Sequence, residues 1–218
     1  HRTAVSVAVV VLLGVVALPV ASMQLNLPSD GTANLDTPAR QSYDAISAGF
    51  GPGFNGPLLV VAHLPQAVVP ATLTEVRDTI AGLDHVAAVI PGAISADGTT
   101  VTFTVLPDEG PNATQTRALV ETLRDPALGT TAGAVLGVTG VTAINIDMAQ
   151  VLSDALVPYL AIIVVISLII LALVFRSVFV PLTATLGFVL TIGAALGVVT
   201  AVFQWGWFAG LFGIDTPG

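Results

Sequence analysis

"LVPYLAIIVVISLIILALVF", Leu156–Phe175, is an almost unbroken run of Leu, Ile, Val and Ala, with Ser167 its only polar residue past Tyr159. A helix needs about 20 apolar residues to cross a bilayer core. Each Leu, Ile or Val near the centre favours insertion by about 0.3–0.6 kcal/mol, and no charge in the run opposes them. The stretch therefore reads as a membrane-spanning helix, and the rest of the chain is organised around it.

Immediately downstream, Arg176 sits in "FRSVFVP", and a second uncharged run follows at Val178–Phe203, "VFVPLTATLGFVLTIGAALGVVTAVF". Far upstream, Thr3–Ala21, "TAVSVAVVVLLGVVALPVA", is a third. Arg2, this apolar run and "VAS" before Met23 also fit a secretory signal peptide, but the run is long for one and no initiator Met precedes it. The run at Val178–Phe203 carries Gly193 and Gly197 in a GxxxG pattern, with Gly187 and several Thr nearby, which predicts close packing against another helix. Trp205 and Trp207 in "QWGW" fall where an aromatic belt is expected.

Composition agrees. Of 218 residues, 54% are hydrophobic and 9% charged, against about 25% charged in an ordinary soluble domain. The net charge is −8, and all six bases are Arg. Nucleic-acid binding needs clustered bases, so this balance argues against it. The absence of Cys excludes disulfides and thiolate metal sites. Heavy use of Ala, Val, Gly and Thr without Lys fits a GC-rich bacterial genome. Arg2 and Arg176 flank the spans on one side, while thirteen of the fourteen acids lie between Met23 and Ala155. The positive-inside rule then puts the two bases in the cytoplasm and the long loop outside.

That loop reads as alternating elements. Residues 24–56 hold an outer helix and a Gly/Pro linker. The helix is Pro38–Phe50, with Thr37 as N-cap and Pro38 at its first position. The linker, "AGFGPGFNGP" at Ala48–Pro57, cannot continue a helix or a central strand, and Phe50 and Phe54 are expected to pin it to the core. Residues 57–140 read as βαββαβ. The strands are Leu58–Leu64, Val86–Ile94, Thr100–Leu106 and Ala134–Val138. The helices are Thr72–Leu83, with Thr72 and Glu75 in capping-box spacing, and Asn112–Arg124, with Asn112 as cap. Asp97-Gly98 is a hairpin signal. Such an order is the split βαβ, ferredoxin-like arrangement, with two helices over one face of an antiparallel sheet. Residues 144–155 read as a helix that leads into the span at 156–175, with Pro158 kinking it.

"LPSDGTANLDTPARQSYDAISAGFGPGFNGPLLVVA", "GVTGVTAINIDMAQVL", "LVFRSVFVPL" and "VFQWGW" together make the chain resemble a half-transporter of the resistance–nodulation–division superfamily, in its MMPL (mycobacterial membrane protein large) branch. The pattern is more like the second half of such proteins than the first. The resemblance implies a membrane α-helical plus α+β fold: three transmembrane helices (3–21, 156–175 and 178–203), an extracytoplasmic ferredoxin-like βαββαβ porter domain, and a truncated outer loop at 204–218. It implies a multi-pass protein of the bacterial inner membrane, driven by the proton gradient, exporting lipids or other hydrophobic molecules with the remaining half of the transporter. The family's relay resembles an Asp-Tyr pair on the fourth helix of each half, beyond this chain, so no relay residue is carried over. His1 and "GIDTPG" do not look like natural termini, and the chain is read as a piece of a longer protein.

No catalytic, cofactor or metal residues are expected. His63, His85 and the pair Asp108-Glu109 stand apart from any cluster with ligand spacing, and no Ser/His/Asp arrangement is present. "NAT" at Asn112 matches a glycosylation sequon, read as chance in a bacterial chain. Tyr43 and Phe50 are candidates to face a lipid-like substrate, with core packing the plainer reading. Substrate-binding residues are otherwise not legible. Two function classes stay open: a piece of an exporter, or a membrane-anchored binding or accessory subunit without transport.

Overall fold

The computed structural model describes residues 2–23, 28–208 and 211. The chain divides into two compact units, His1–Leu25 with Gln150–Gly218, and Asn26–Ala149.

In the first unit, helix α1 (Arg2–Ala17) is lengthened by a 3-10 turn at Leu18–Ser22. Helix α7 (Phe179–Phe203) packs on α1. The contact runs through the GxxxG pair. A Cβ at Gly193 would lie 3.3 Å from the Cβ of Ala17, and one at Gly197 would strike the carbonyl oxygen of Val16. Small residues here let two backbones touch, as membrane helices require when water gives them no hydrophobic drive to associate. Two Thr hydroxyls of α7 bond within the helix: Thr191 donates to Gly187 O at 2.8 Å, and Thr200 to Leu196 O at 3.0 Å. Helix α6 (Val141–Phe175) contains the run quoted first, with Pro158 inside it. None of the apolar stretch of α6 is buried, whereas 28% of that of α7 is. Arg176 takes a left-handed φ of 49° just after α6, and α7 starts three residues later. All three helices are long and apolar enough to cross a membrane. The Trp205 and Trp207 rings meet edge-on, 5.9 Å apart.

In the second unit, α2 (Pro38–Phe50) precedes β1 (Leu58–His63), α3 (Pro70–Ala81), β2 (Val86–Ile94), β3 (Thr100–Pro107), α4 (Thr114–Leu123), α5 (Pro126–Thr131) and β4 (Val135–Thr139). The sheet order is β2-β3-β1-β4, and every neighbouring pair is antiparallel. Strand β1 alternates: Leu58, Val60 and Ala62 are fully buried, while Leu59 faces out. Since side chains on a strand alternate with period two, the inward set is fixed by register. Val60 is paired with Phe103 on one side and Val138 on the other. Val76 and Ile80 of α3, Leu119, Val120 and Leu123 of α4, and Ala143 at the start of α6 close the core.

Four expectations need correction. Helix α3 starts at Pro70, not Thr72, because Pro is preorganised for the first helical position; Val69 is the N-cap, and Thr72 lies inside the helix without forming a capping box. Helix α4 starts at Thr114 with Ala113 as N-cap, and the Asn112 amide instead donates to Ser29 Oγ at 3.0 Å. Helix α5 was not expected; it is capped by Asp125, whose carboxylate accepts from Ala127 N at 2.8 Å. Phe50 and Phe54 do not pin the linker to the core. They are 69% and 45% exposed and pack on each other, with ring centroids 5.3 Å apart. What packs here is backbone: Gly53 lies directly against the carbonyl of Pro107, where a Cβ would not fit.

Candidate functional site

Within the second unit, the segment after Pro28, α2, the Gly/Pro linker, the start of β1 and the start of α6 surround a cleft of about 590 Å³. Each wall has a local cause. Thr37 caps α2, its hydroxyl accepting from Arg40 N at 3.3 Å. One turn on, Arg40 pairs with Asp44 at 2.8 Å and donates to Gly31 O at 2.7 Å, which straps residues 29–33 to the helix. Tyr43 then lies against Gly31, where a Cβ would come within 2.8 Å of the ring, and its hydroxyl reaches Gly110, where a Cβ would come within 2.7 Å. Asn55 ties the linker back to α2, donating to Tyr43 O at 3.1 Å and Ser47 Oγ at 2.8 Å. Gly56 fits between Pro111 and Thr142, and Gly140 takes a φ of +106°, which lets the chain turn from β4 into α6 beside Pro57 and Leu59. The linker thus serves close backbone approach.

Polar side chains converge on this cleft. Thr142, 3% exposed, lines it, and so do Tyr43 and Asn145. No buried side-chain polar atom among the described residues lacks a hydrogen-bond partner. Burial pushes the Tyr43 hydroxyl pKa up; Arg40 opposes this, and Asp44 and Glu109 add to it. The hydroxyl therefore stays protonated, and a donor, at neutral pH. Among the described residues, Asp30 is the only charged one lining the cleft.

A second cleft, about 640 Å³, lies between α5 and β4, with His63 and Arg124 in its wall. Its charges are already engaged. Both guanidinium nitrogens of Arg124 reach the Asp147 carboxylate, at 2.5 and 2.9 Å, and Asp125 caps α5. This pairing holds the Asp147 carboxyl below the ordinary carboxylate range. His63 Nδ1 lies 3.1 Å from Thr100 Oγ1, and His85 Nδ1 3.3 Å from Asp108. Among the described residues no group of three or more His, Asp or Glu is placed to hold a metal ion. Of the residues singled out in the sequence, Tyr43 lines the first cleft and Phe50 does not.

A membrane protein with one folded unit between its first and second spans is the class these observations define. The chain belongs to the MMPL family, whose sequence pattern matches residues 61–211. Membrane protein YdfJ of Bacillus subtilis is 39% identical over 216 residues, 98% of this chain and 29% of that protein. The mycolic acid-containing lipids exporter MmpL11 of Mycolicibacterium smegmatis is 26% identical, over 93% of this chain and 22% of its own length. The heme uptake protein MmpL11 of Mycobacterium tuberculosis is 27% identical, over 77% of this chain and 18% of its own length. The chain thus spans less than a third of the length of these curated relatives. Two of these relatives are named for transport; none is named as an enzyme.

Proposed function

We propose that this chain is part of a proton-motive-force-driven exporter of lipids or other hydrophobic molecules in the bacterial inner membrane. It supplies three spans and one extracytoplasmic porter domain of ferredoxin-like βαββαβ fold to one half of the transporter. The observation that carries this reading is membership of the MMPL family, over a stretch that includes both the sheet and the last two spans. The sheet order β2-β3-β1-β4 supports the split βαβ assignment, since two βαβ units interleave in that order. Arg2 and Arg176 on one side of the spans, with the acids on the other, support an outward domain. The spans at 4–22, 156–175 and 179–203 contain no Asp, Glu, Lys, Arg or His, so the coupling residues belong to other parts of the transporter.

The test uses the complete transporter in proteoliposomes containing a fluorescent diacyl lipid, with a pH gradient across the membrane. Outward lipid flux that stops when a protonophore collapses the gradient is expected. Inward heme flux without outward lipid flux, or flux indifferent to the gradient, overturns the reading.

A further inference from the structure

We propose that the open face of the β-sheet is a docking surface for the same face of a second copy of this chain. The proposal concerns assembly and takes nothing from what the transporter carries.

The composition of the face is the first observation. Helices α3 and α4 cover one side of the sheet, with Val76, Ile80, Leu119 and Leu123 in the shared core. Register fixes what stands on the other side. Ile90, Thr104, Leu59 and Thr139 form one row across all four strands. Val61 is at the centre of the next row, and Val135 and His63 lie in the third. An antiparallel sheet that leaves one face to water alternates apolar inward residues with polar outward ones. Here Leu59, Ile90 and Val135 look outward, at 37%, 48% and 72% exposure. The four strands contain no Asp, Glu, Lys or Arg. His63 is engaged with the Thr100 hydroxyl at 3.1 Å. Grouped exposed apolar side chains and a centre depleted of charge are marks of a protein interface.

Charge selects the occupant. Residues 26–149 hold twelve acids against four Arg. These charges lie off the strands: Glu75, Arg77 and Asp78 are on α3, and Arg117 and Glu121 on α4. Two copies of so acidic a unit repel each other wherever their acids meet. The open sheet face lets them approach without setting like charges together. A basic partner gains nothing from a face that carries no acid. A two-fold pair also needs a patch that accepts its own residues, and Thr, Val, Ile and Leu do so with no charge to match.

Size sets the strength. Four strands about 4.8 Å apart, with about six residues each at about 3.3 Å, make a face of about 400 Å². Two such faces bury about 800 Å² in all, below the roughly 1,200 Å² where stable complexes begin. The pair is therefore transient, and it forms where copies confined to one membrane raise their local concentration.

The experiment uses the absence of Cys from the chain, so that one introduced thiol reports one position. Packed sheets lie about 10 Å apart, whereas a disulfide needs Cα atoms within about 7 Å, so the linker is a bismaleimide reaching about 10 Å. In bacterial membranes, Val61→Cys at the centre of the face is expected to give a product with the mass of two chains. Gly137→Cys, paired with Val61 and with nothing closer than 3.9 Å to its Cβ, is the second probe should the first fail to fold. Thr122→Cys, exposed on α4, is expected to give no such product. Adding Val135→Asp, at a solvent-exposed position, is expected to abolish the product while leaving circular dichroism as in the wild type. The same thiol in the complete transporter, with any other cysteines replaced by Ser, is expected to link two transporters. Absence of the product from both probes, an equal yield from Thr122→Cys, or its survival beside Val135→Asp overturns the proposal. Links that run only within one transporter also overturn it, and assign the face to another segment of the same polypeptide.

Discussion

Gly49 and Gly53, four residues apart, have opposite reasons to be glycine. Gly49 lies inside α2 with nothing within 4 Å of a Cβ, while at Gly53 a Cβ would run into the backbone of Pro107. Gly49→Ala is expected to stabilise the unit by about 0.4–1 kcal/mol, by restricting the unfolded chain. Gly53→Ala is expected to destabilise it by about 1–3 kcal/mol, because backbone cannot move aside as a side chain can. Urea melts of both variants check the pair, and equal shifts of the same sign contradict it. Asp147 has a pH signature. Its folded pKa is depressed, above all by the hydrogen bonds from Arg124, so the contribution is present above the ordinary carboxylate pKa and fades as pH falls through the folded value. The pair is substantially exposed and is worth at most about 1 kcal/mol. Asp147→Asn is expected to lower the melting temperature at pH 7, and the gap should close towards pH 3.

At the scale of elements, the two membrane helices after the folded unit differ in what their surfaces permit. Ile169 of α6 is 55% exposed, and Ala194 of α7 is 6% exposed. In nanodiscs, Ile169→Cys is expected to react readily with a lipid-phase maleimide and Ala194→Cys slowly; the reverse order refutes the α1–α7 packing. The elements that were legible in the sequence are those specified locally. Thr37-Pro38 sets the start of α2, a short apolar run marks β1, and period-two alternation marks β3. Asp125-Pro126 is the same cap-plus-Pro signal and marks α5, but a helix of only six residues is easily passed over. Gly193 and Gly197 announced a close approach without naming its partner, because the facing residues, Ala17 and Val16, lie at the far end of the sequence. The cleft was illegible for the same reason. Its lining is drawn from Pro28 to Asn145, and each polar residue alone looks like an ordinary loop or cap residue. Asn112, read as a cap, in fact holds Ser29.

For the whole molecule, the boundary of the folded unit bears on any attempt to isolate it. The segment 57–140 contains the four strands, yet Ala143 of α6 completes the core and the linker packs on Pro107 and Pro111. Excised, 26–149 is expected to show mixed helix and sheet by circular dichroism and to melt cooperatively, and 57–140 to melt at a lower temperature. A higher melting point for the shorter segment would place the boundary wrongly. The intact chain is expected to leave liposomes no leakier to protons than empty vesicles, since a relay through the bilayer needs ionisable groups or water at depth. An internal pH dye reads this directly. The same uncharged spans have an electrical consequence. A membrane potential does work only on charge that moves through it, about 2.3 kcal/mol per elementary charge for each 100 mV. The side chains of the spans at 4–22, 156–175 and 179–203 carry none. To the voltage they are a dielectric. If the proposed transport reading holds, any dependence of transport on membrane potential, as distinct from pH difference, is expected to come from charges outside these spans or on the cargo.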